Sequence, residues 1–391
     1  MLGRNNMKKF DTLRSHFKNL DYYIFIPYII LSLIGVIMVY SASYSTAGNI
    51  NPSGILIKQA SYFLVGLLII VIVMNGNNKI IKSKKFITIF GFILTISLIY
   101  LKFFGAIANG AAGWINLGPI NIQPAEVAKV YFIMRFARVI QAEDDKINDY
   151  NWVSIFKGRL YFSLFIVFFI FIQPDLGGAI INTSIIFIMI LSSGIKWKKS
   201  LKILLFTIFL AFIFVFAVLY PLIKMGVWRG YQANRVISFI DPFKYHDRSG
   251  YQVINSYYAL SNGGILGRGL GNSIQKNGYL PEAHTDFIMS VISEELGLLT
   301  VLLILFLLAF IVGRIFIIGV RSKSIYDRLI CYGIAFYITI QALINTGAVT
   351  GMMPITGVTF PFISYGGSSM LTLSFCIGLT LLISANQGKR S

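Results

Sequence analysis

Residues 201–223 read LKILLFTIFLAFIFVFAVLYPLI and follow at once on the basic group KWKK at 196–199. Apart from Lys202 the run carries no charge, and about 20 apolar residues suffice for a helix to cross a bilayer. Such a surface suits lipid and neighbouring helices, since it has no polar side to turn to water. Comparable runs lie outward from it, near residues 22–43, 60–75, 86–104, 160–173, 178–195, 287–313, 328–349 and 365–385. A weaker one, near 124–140, carries Glu126, Lys129, Arg135 and Arg138. Its apolar residues Val127, Val130, Tyr131, Ile133, Met134 and Ala137 still allow a packed helix, with the charges facing the bundle interior or a wet cavity. The expectation is an all-α integral membrane protein of about ten transmembrane helices.

Composition excludes most soluble classes. Apolar residues make up 56% of the 391 residues and charged ones 13%, where a soluble domain carries about 25% charged. A net charge of +19 in a soluble chain would suggest nucleic acid. No nucleic-acid partner is expected here, because zinc-finger spacing, a P-loop and a dinucleotide fingerprint are all missing and the cations sit between apolar runs. Of the 34 Lys and Arg, 24 fall at the N-terminus, at Lys79–Lys85, Arg135–Arg159, Lys196–Lys202, Arg314–Arg328 and at Lys389 and Arg390. The positive-inside rule puts those segments in the cytoplasm. Ten spans then place both termini there, as tails 1–21 and 386–391 around a membrane domain 22–385. The run at 22–42 is too long for a signal h-region and reads as a retained first helix. One long outer loop, 224–286, falls between helices 7 and 8 and reads as an ordered cap. Cys331 and Cys376 lie inside apolar runs, as buried free thiols do.

Four outer segments could carry chemistry. In NGAAGWINLGPINIQPAEVAK (109–129), Trp114 sits in a glycine-rich turn, Pro124 opens a helix, and Glu126 and Lys129 share one helical face. They form a stabilising ion pair, or Lys129 offers a cation to an anionic ligand. In QPDLGG (173–178), Asp175 reads as a turn or cap residue. The long loop contains a glycine cluster, GRGLGNS, that is a weak match to a phosphate cradle because the Walker lysine is absent. It ends in Glu282, His284 and Asp286 ahead of an apolar helix that Thr285 or Asp286 could cap. Glu294 and Glu295 lie within that span with no matching local cation, which marks them as functional candidates. In NTGAVTGMMPITGVTFPFISYGGSSM (345–370), prolines and glycines at membrane depth mean broken helices, buried in protein or lining a wet cavity. Ser368 and its neighbours stand at a helix start suited to an anion.

Taken in order, the strings GWINLG…IQPAEVAK, QPDLGGA, NGGILGRGLGNSIQKNGYLPEAHTDFI…EELG and PITGVTFPFISYGGSSM resemble the signature blocks of the SEDS family. Those are the shape, elongation, division and sporulation proteins, and the similarity runs from about residue 25 to 385. The stretch ALSNGGILGRGLGNSIQKNGYLPEAHTDF is more similar to division-type than to elongation-type members. The resemblance implies a peptidoglycan glycosyltransferase that polymerises lipid II on the outer face of the cytoplasmic membrane. It also implies a class B penicillin-binding protein and the divisome as partners. The family's essential aspartate matches Asp286. Two positions depart from the family pattern: Gly113 stands where a basic residue precedes the tryptophan, and Ala125 where a serine follows the proline.

Transfer from an α-linked diphosphate to a β-1,4 bond requires a base for the acceptor hydroxyl and positive charge for the departing diphosphate. Asp286 is the candidate base. Arg229, Arg235, Lys129, Arg268 and Lys276 are candidate cations, with Trp114, Glu126, Glu282, His284 and Ser368 completing the substrate lining. No metal-ligand set is expected, although a divalent cation (Mg or Mn) could assist. A lipid-precursor flippase and a division scaffold are the alternatives, besides an elongation-type polymerase. The first lacks a convincing internal repeat, and the second requires an Asp286→Asn protein to keep its function.

Overall fold

The computed structural model describes residues 20–44, 51–76, 78–104, 106–108, 111–116, 118, 121–143, 152–225, 227, 230–246 and 250–388. Among these, helices occupy all ten stretches expected from the sequence. They are α1 (Tyr22–Ser43), α2 (Pro52–Asn75), α3 (Lys84–Phe104), α4 (Pro124–Glu143), α5 (Trp152–Ile172), α6 (Leu176–Leu191) and α7 (Trp197–Lys224). Two shorter helices, α8 (Tyr231–Ile240) and α9 (Tyr251–Gly263), lie in the long loop, and α10 (Ile288–Arg321), α11 (Ile325–Val349) and α12 (Gly367–Gly388) complete the set apart from a single turn at Asn78–Ile81. Seven are long and apolar enough to cross a membrane: α1, α2, α3, α7, α10, α11 and α12. The chain is a multi-pass membrane protein. Between α3 and α4 stands a small antiparallel sheet of β1 (Ala106–Ala108), β2 (Ala111–Asn116) and β3 (Asn121–Ile122).

Helices α1 and α10 run antiparallel, and polar contacts fasten both ends of the pair. At one end Arg314 Nη2 donates to Asp21 Oδ2 at 2.9 Å; at the other Ser41 Oγ donates to Glu295 Oε2 at 2.7 Å. Helix α12 packs mainly on α2, and α4 on α6 and α11. The charges of α4 point inward as expected. Arg135 donates to Tyr131 Oη at 2.7 Å and its guanidinium lies 4.8 Å from the Phe162 ring centre.

Residues 350–366 form the expected break, and it reaches the middle of α1. A β-carbon on Gly35 would stand 2.8 Å from Ile363 Cα, so the absence of a side chain there admits the loop. Irregular backbone at that depth survives only if its polar groups find partners. Phe360 N donates to Ser364 Oγ at 2.7 Å, Tyr365 N to His284 O at 2.9 Å, and Gln59 Nε2 to Ser364 O at 3.3 Å.

The run near 287–313, expected as a single span, is two helical pieces joined at Gly297 (φ 78°, ψ 175°). Its first piece is buried against α9, and the glycine cluster holds the joint open. Arg268 N donates to Glu294 O at 3.0 Å and Gly269 N to Glu295 O at 2.8 Å, which satisfies carbonyls at the end of the first piece. Leu298 N donates to Gly264 O at 3.0 Å, which satisfies an amide at the start of the second. Side chains at Gly263, Gly267 or Gly297 would collide with facing backbone. The cluster read as a weak phosphate cradle is thus a clip between backbone segments.

The clip also corrects the reading of Glu295 as an acid without a local cation, while Glu294 is met by neutral donors. Lys276 Nζ lies 2.8 Å from Glu295 Oε1 and 3.1 Å from Ser41 Oγ. Glu294 accepts from Asn262 Nδ2 at 3.0 Å, Ser273 Oγ at 2.5 Å and Gln275 N at 3.1 Å. Both carboxylates are fully buried and fully partnered, as buried charges must be.

Candidate active site

The segment before α10 sets Asp286 at the bundle end marked by Ser41. Neither Thr285 nor Asp286 caps the helix: Phe287 occupies the cap position, without a side-chain bond. Thr285 Oγ1 donates instead to Glu282 Oε2 at 2.9 Å, and Glu282 turns the chain at φ 57°. Asp286 is anchored through its main chain, where its carbonyl accepts from Asn345 Nδ2 at 2.8 Å. Its carboxyl group is left to face Arg235 of α8.

Gly357, at φ 77°, lies beside both side chains. A β-carbon there would lie 3.3 Å from one Arg235 guanidinium nitrogen and 3.6 Å from Asp286 Oδ2. Burial pushes the Asp286 carboxyl up to about 7 against the pull of Arg235, while the charges of Glu282 and Asp175 add to the rise. An aspartate with that affinity can take a proton near neutral pH. His284, beside it, is pushed down by burial, with Glu282 opposing, and its ring lies 5.5 Å from that of Tyr365.

Asp175 enters the same field. It caps α6 as expected, accepting from Gly178 N at 2.7 Å, and it also accepts from Gln123 Nε2 at 2.9 Å. Burial raises its carboxyl, and Lys129, Glu126 and Arg235 all act on it. Gln123 continues the chain of contacts: its backbone N donates to Ser368 Oγ at 2.8 Å, and that hydroxyl donates to Asn121 O at 2.8 Å. Ser368 therefore pins β3 to the start of α12 instead of holding a free hydroxyl out to a ligand. Trp114, on β2, is partly buried in the sheet that Gln123 fastens.

Lys129 is fully buried. Its amine meets Glu126 Oε1 at 2.5 Å and lies 5.0 Å from the Tyr337 ring centre, while Tyr337 Oη donates to Glu126 Oε2 at 3.1 Å. In this conformation Lys129 contributes field to Asp175 and not an open ammonium. Lys276, read from the sequence as a ligand cation, is held in the clip by Glu295 and Ser41. Arg268 is exposed on the clip, and Arg229 lies outside the described residues. The structure thus unites Asp286, Arg235, Glu282, His284, Asp175 and the Glu126–Lys129 pair. Sequence reading missed the parts played by Asn345, Gly357 and Gln123, and leaned to a turn or capping role for Asp175. The signal for Asp175 was an acid at a helix start on the same side as Asp286.

Among the described residues, no three His, Cys, Asp or Glu side chains converge as a metal site. A divalent ion at Asp286 would need oxygens from the substrate to complete its coordination.

Residues 21–389 match the family model FTSW_RODA_SPOVE, described as cell cycle protein. The probable peptidoglycan glycosyltransferase FtsW of Lactococcus lactis subsp. lactis is 40% identical, over 95% of this chain and 94% of that protein. The corresponding protein of Bacillus subtilis is 38% identical, over 95% and 92%. Among solved structures, a chain from "Structural coordination of polymerization and crosslinking by a peptidoglycan synthase complex" superposes with a TM-score of 0.73 at 24% identity, covering 94% of this chain and 98% of that one. The Thermus thermophilus rod shape determining protein RodA superposes with a TM-score of 0.64 at 23% identity, over 94% and 97%. At these identities the two structures establish the fold alone.

Proposed function

Because the chain belongs to the FtsW/RodA/SpoVE family of cell cycle proteins, we propose that it is a division-type peptidoglycan glycosyltransferase that polymerises lipid II at the outer face of the cytoplasmic membrane. The observation that carries this reading is the placing of Asp286 and Arg235 side by side around Gly357, within each other's field, with the aspartate raised to about 7.

The roles follow from the chemistry. The acceptor sugar hydroxyl attacks the anomeric carbon of the donor, and the bond from that carbon to the diphosphate oxygen breaks with inversion. Asp286 takes the hydroxyl proton. Arg235 stabilises the negative charge that develops on the departing diphosphate, as a preorganised cation does in a site of low dielectric. The Glu126–Lys129 pair and Asp175 set the field beside them, and Glu282 and His284 line the approach. A class B penicillin-binding protein would crosslink the strands as they emerge, and further division proteins would bring the pair to the septum. The cation-rich loops argue that both termini are cytoplasmic, which puts the Ser41 end of the bundle, and Asp286 with it, outside.

The test is a polymerisation assay. Purified protein is mixed with lipid II, with and without its penicillin-binding partner, beside a folded Asp286→Ala variant. Polymer from the wild type and none from the variant supports the reading. Equal polymer from both removes Asp286 as the base. Absence of polymer together with lipid II translocation in vesicles would favour a flippase instead.

A further inference from the structure

Gln341 and Asn345 stand one turn apart on α11, both buried, and face the irregular segment before α12. Gln341 Nε2 donates to Thr359 O at 2.9 Å and to Ser369 Oγ at 3.0 Å, so it fastens that segment to α12. Asn345 does something different with the same group. Its Nδ2 donates to Val358 O at 2.7 Å and to Asp286 O at 2.8 Å. Both neighbours are carbonyl oxygens, so only the NH2 end of the amide can face them, and each of its two hydrogens has its own acceptor.

Val358 directly follows Gly357, which lies beside both Arg235 and the Asp286 carboxyl. One amide therefore spans the two backbone segments that frame the base and its cation. We infer that Asn345 is a positioning residue for glycosyl transfer, which sets where Asp286 stands relative to Gly357 and Arg235. This inference rests on Asp286 acting as the base. Asn345 touches no substrate; it acts through the Asp286 main chain, whose displacement carries the carboxyl group with it. The charged groups that face that carboxyl are Arg235 from α8, Glu282 from its own loop and Asp175 from the turn before α6. Freed from the amide, Asp286 relaxes toward water, and its proton affinity falls toward the ordinary carboxyl range.

Two readouts test this on the full-length protein. One is the rate of polymerisation of a lipid-linked disaccharide substrate, separated into kcat and KM. The other is the pH dependence of carbodiimide labelling at Asp286, located by mass spectrometry, which needs no activity. Asn345→Leu removes both donors at similar volume without adding a charge, and Asn345→Ala removes them together with most of the side chain. Gln341→Ala loosens the same segment without touching Asp286. The Asn345 variants are expected to lose about 10- to 100-fold in kcat with KM little changed, and their Asp286 labelling midpoint to move to lower pH. Gln341→Ala is expected to keep the wild-type midpoint. Wild-type kcat and midpoint in folded Asn345 variants would overturn the inference, as would an equal shift in Gln341→Ala. If no Asn345 variant folds while Gln341→Ala does, the role is structural and the inference is equally overturned. A wild type that makes no polymer would overturn the polymerase reading instead, and the labelling midpoints would still decide whether Asn345 positions Asp286.

Discussion

Replacing Lys276 by Met leaves Glu295 buried with Ser41 as its remaining side-chain partner. In the native protein the Lys276 ammonium and the Glu295 carboxylate are 2.8 Å apart, with side-chain exposures of 2% and 0%. Losing one member of such a pair strands an uncompensated charge, at a cost of about 3–5 kcal/mol. Ser41 cannot make good the deficit, because it already lies 2.7 and 2.8 Å from the two carboxylate oxygens and a single hydroxyl bond to a charged group contributes about 1.5–3 kcal/mol. Against a total stability of about 5–15 kcal/mol, Lys276→Met is a severe lesion, so it is expected to lower the melting temperature of the detergent-solubilised protein by many degrees. The double variant Lys276→Met/Glu295→Met removes both charges at similar volume and should recover most of that loss. A double-mutant cycle with denaturant unfolding reads the coupling. A single variant that unfolds like the wild type, or a double variant no better than the single, would refute the account of the clip as an ion-paired joint.

Polymerisation should rise with pH through a midpoint near 7, because Asp286 accepts a proton only in its ionised form; Arg235→Ala removes the cation that holds the carboxyl down and should move the midpoint up. Stability carries the opposite sign: the folded value stands above the ordinary 3.8, so the Asp286 contribution is complete below pH 3.8 and is lost as pH rises through about 7. An Asp286→Asn protein should lack that component in pH-dependent melting. Gly297→Ala forces a β-carbon into the facing backbone at φ 78°; the conformation alone costs about 1–3 kcal/mol. Gly118→Ala, at φ 85° with open space around it, bears only that conformational cost, so melting of the two variants isolates the steric part. Asp175→Ala should cost about 1 kcal/mol through the lost cap, read by thermal unfolding, and should lower the Asp286 midpoint because one nearby negative charge is gone.

The helices were legible because hydropathy over some twenty residues survives any packing arrangement. Even α4, with five charges, announced itself through Pro124 and the apolar residues between its cations. The joint at Gly297 was not legible: EELG inside an apolar run reads as continuous helix until the glycines at 263–269 are seen to lie against it, and that contact is tertiary. The same contact hid the partner of Glu295, since Lys276 is 19 residues away in sequence. At the site, Asp286 and Arg235 were legible as types, an acid at a helix start and a cation in a capping loop. Asn345 was not, because an asparagine in NTGAV declares nothing until the two carbonyls it bridges are placed.

Helices α7 and α12 look alike in one dimension and are opposites in three. Between Trp197 and Leu219, α7 buries no residue, whereas α12 lies mostly inside the bundle. For α7, therefore, the requirement imposed by the fold is greasiness: Leu, Ile, Phe and Val can trade places freely so long as the run stays long enough to reach across the bilayer. Along α12 a methyl group gained or lost meets a neighbour, as the β-carbon that would press on Val73 and Ile70 from Gly378 illustrates. Lineages carrying this protein should accordingly drift quickly through 201–219 while holding 367–385 nearly still, so substitution rate along the chain would trace which helices have protein at their backs and which have only lipid.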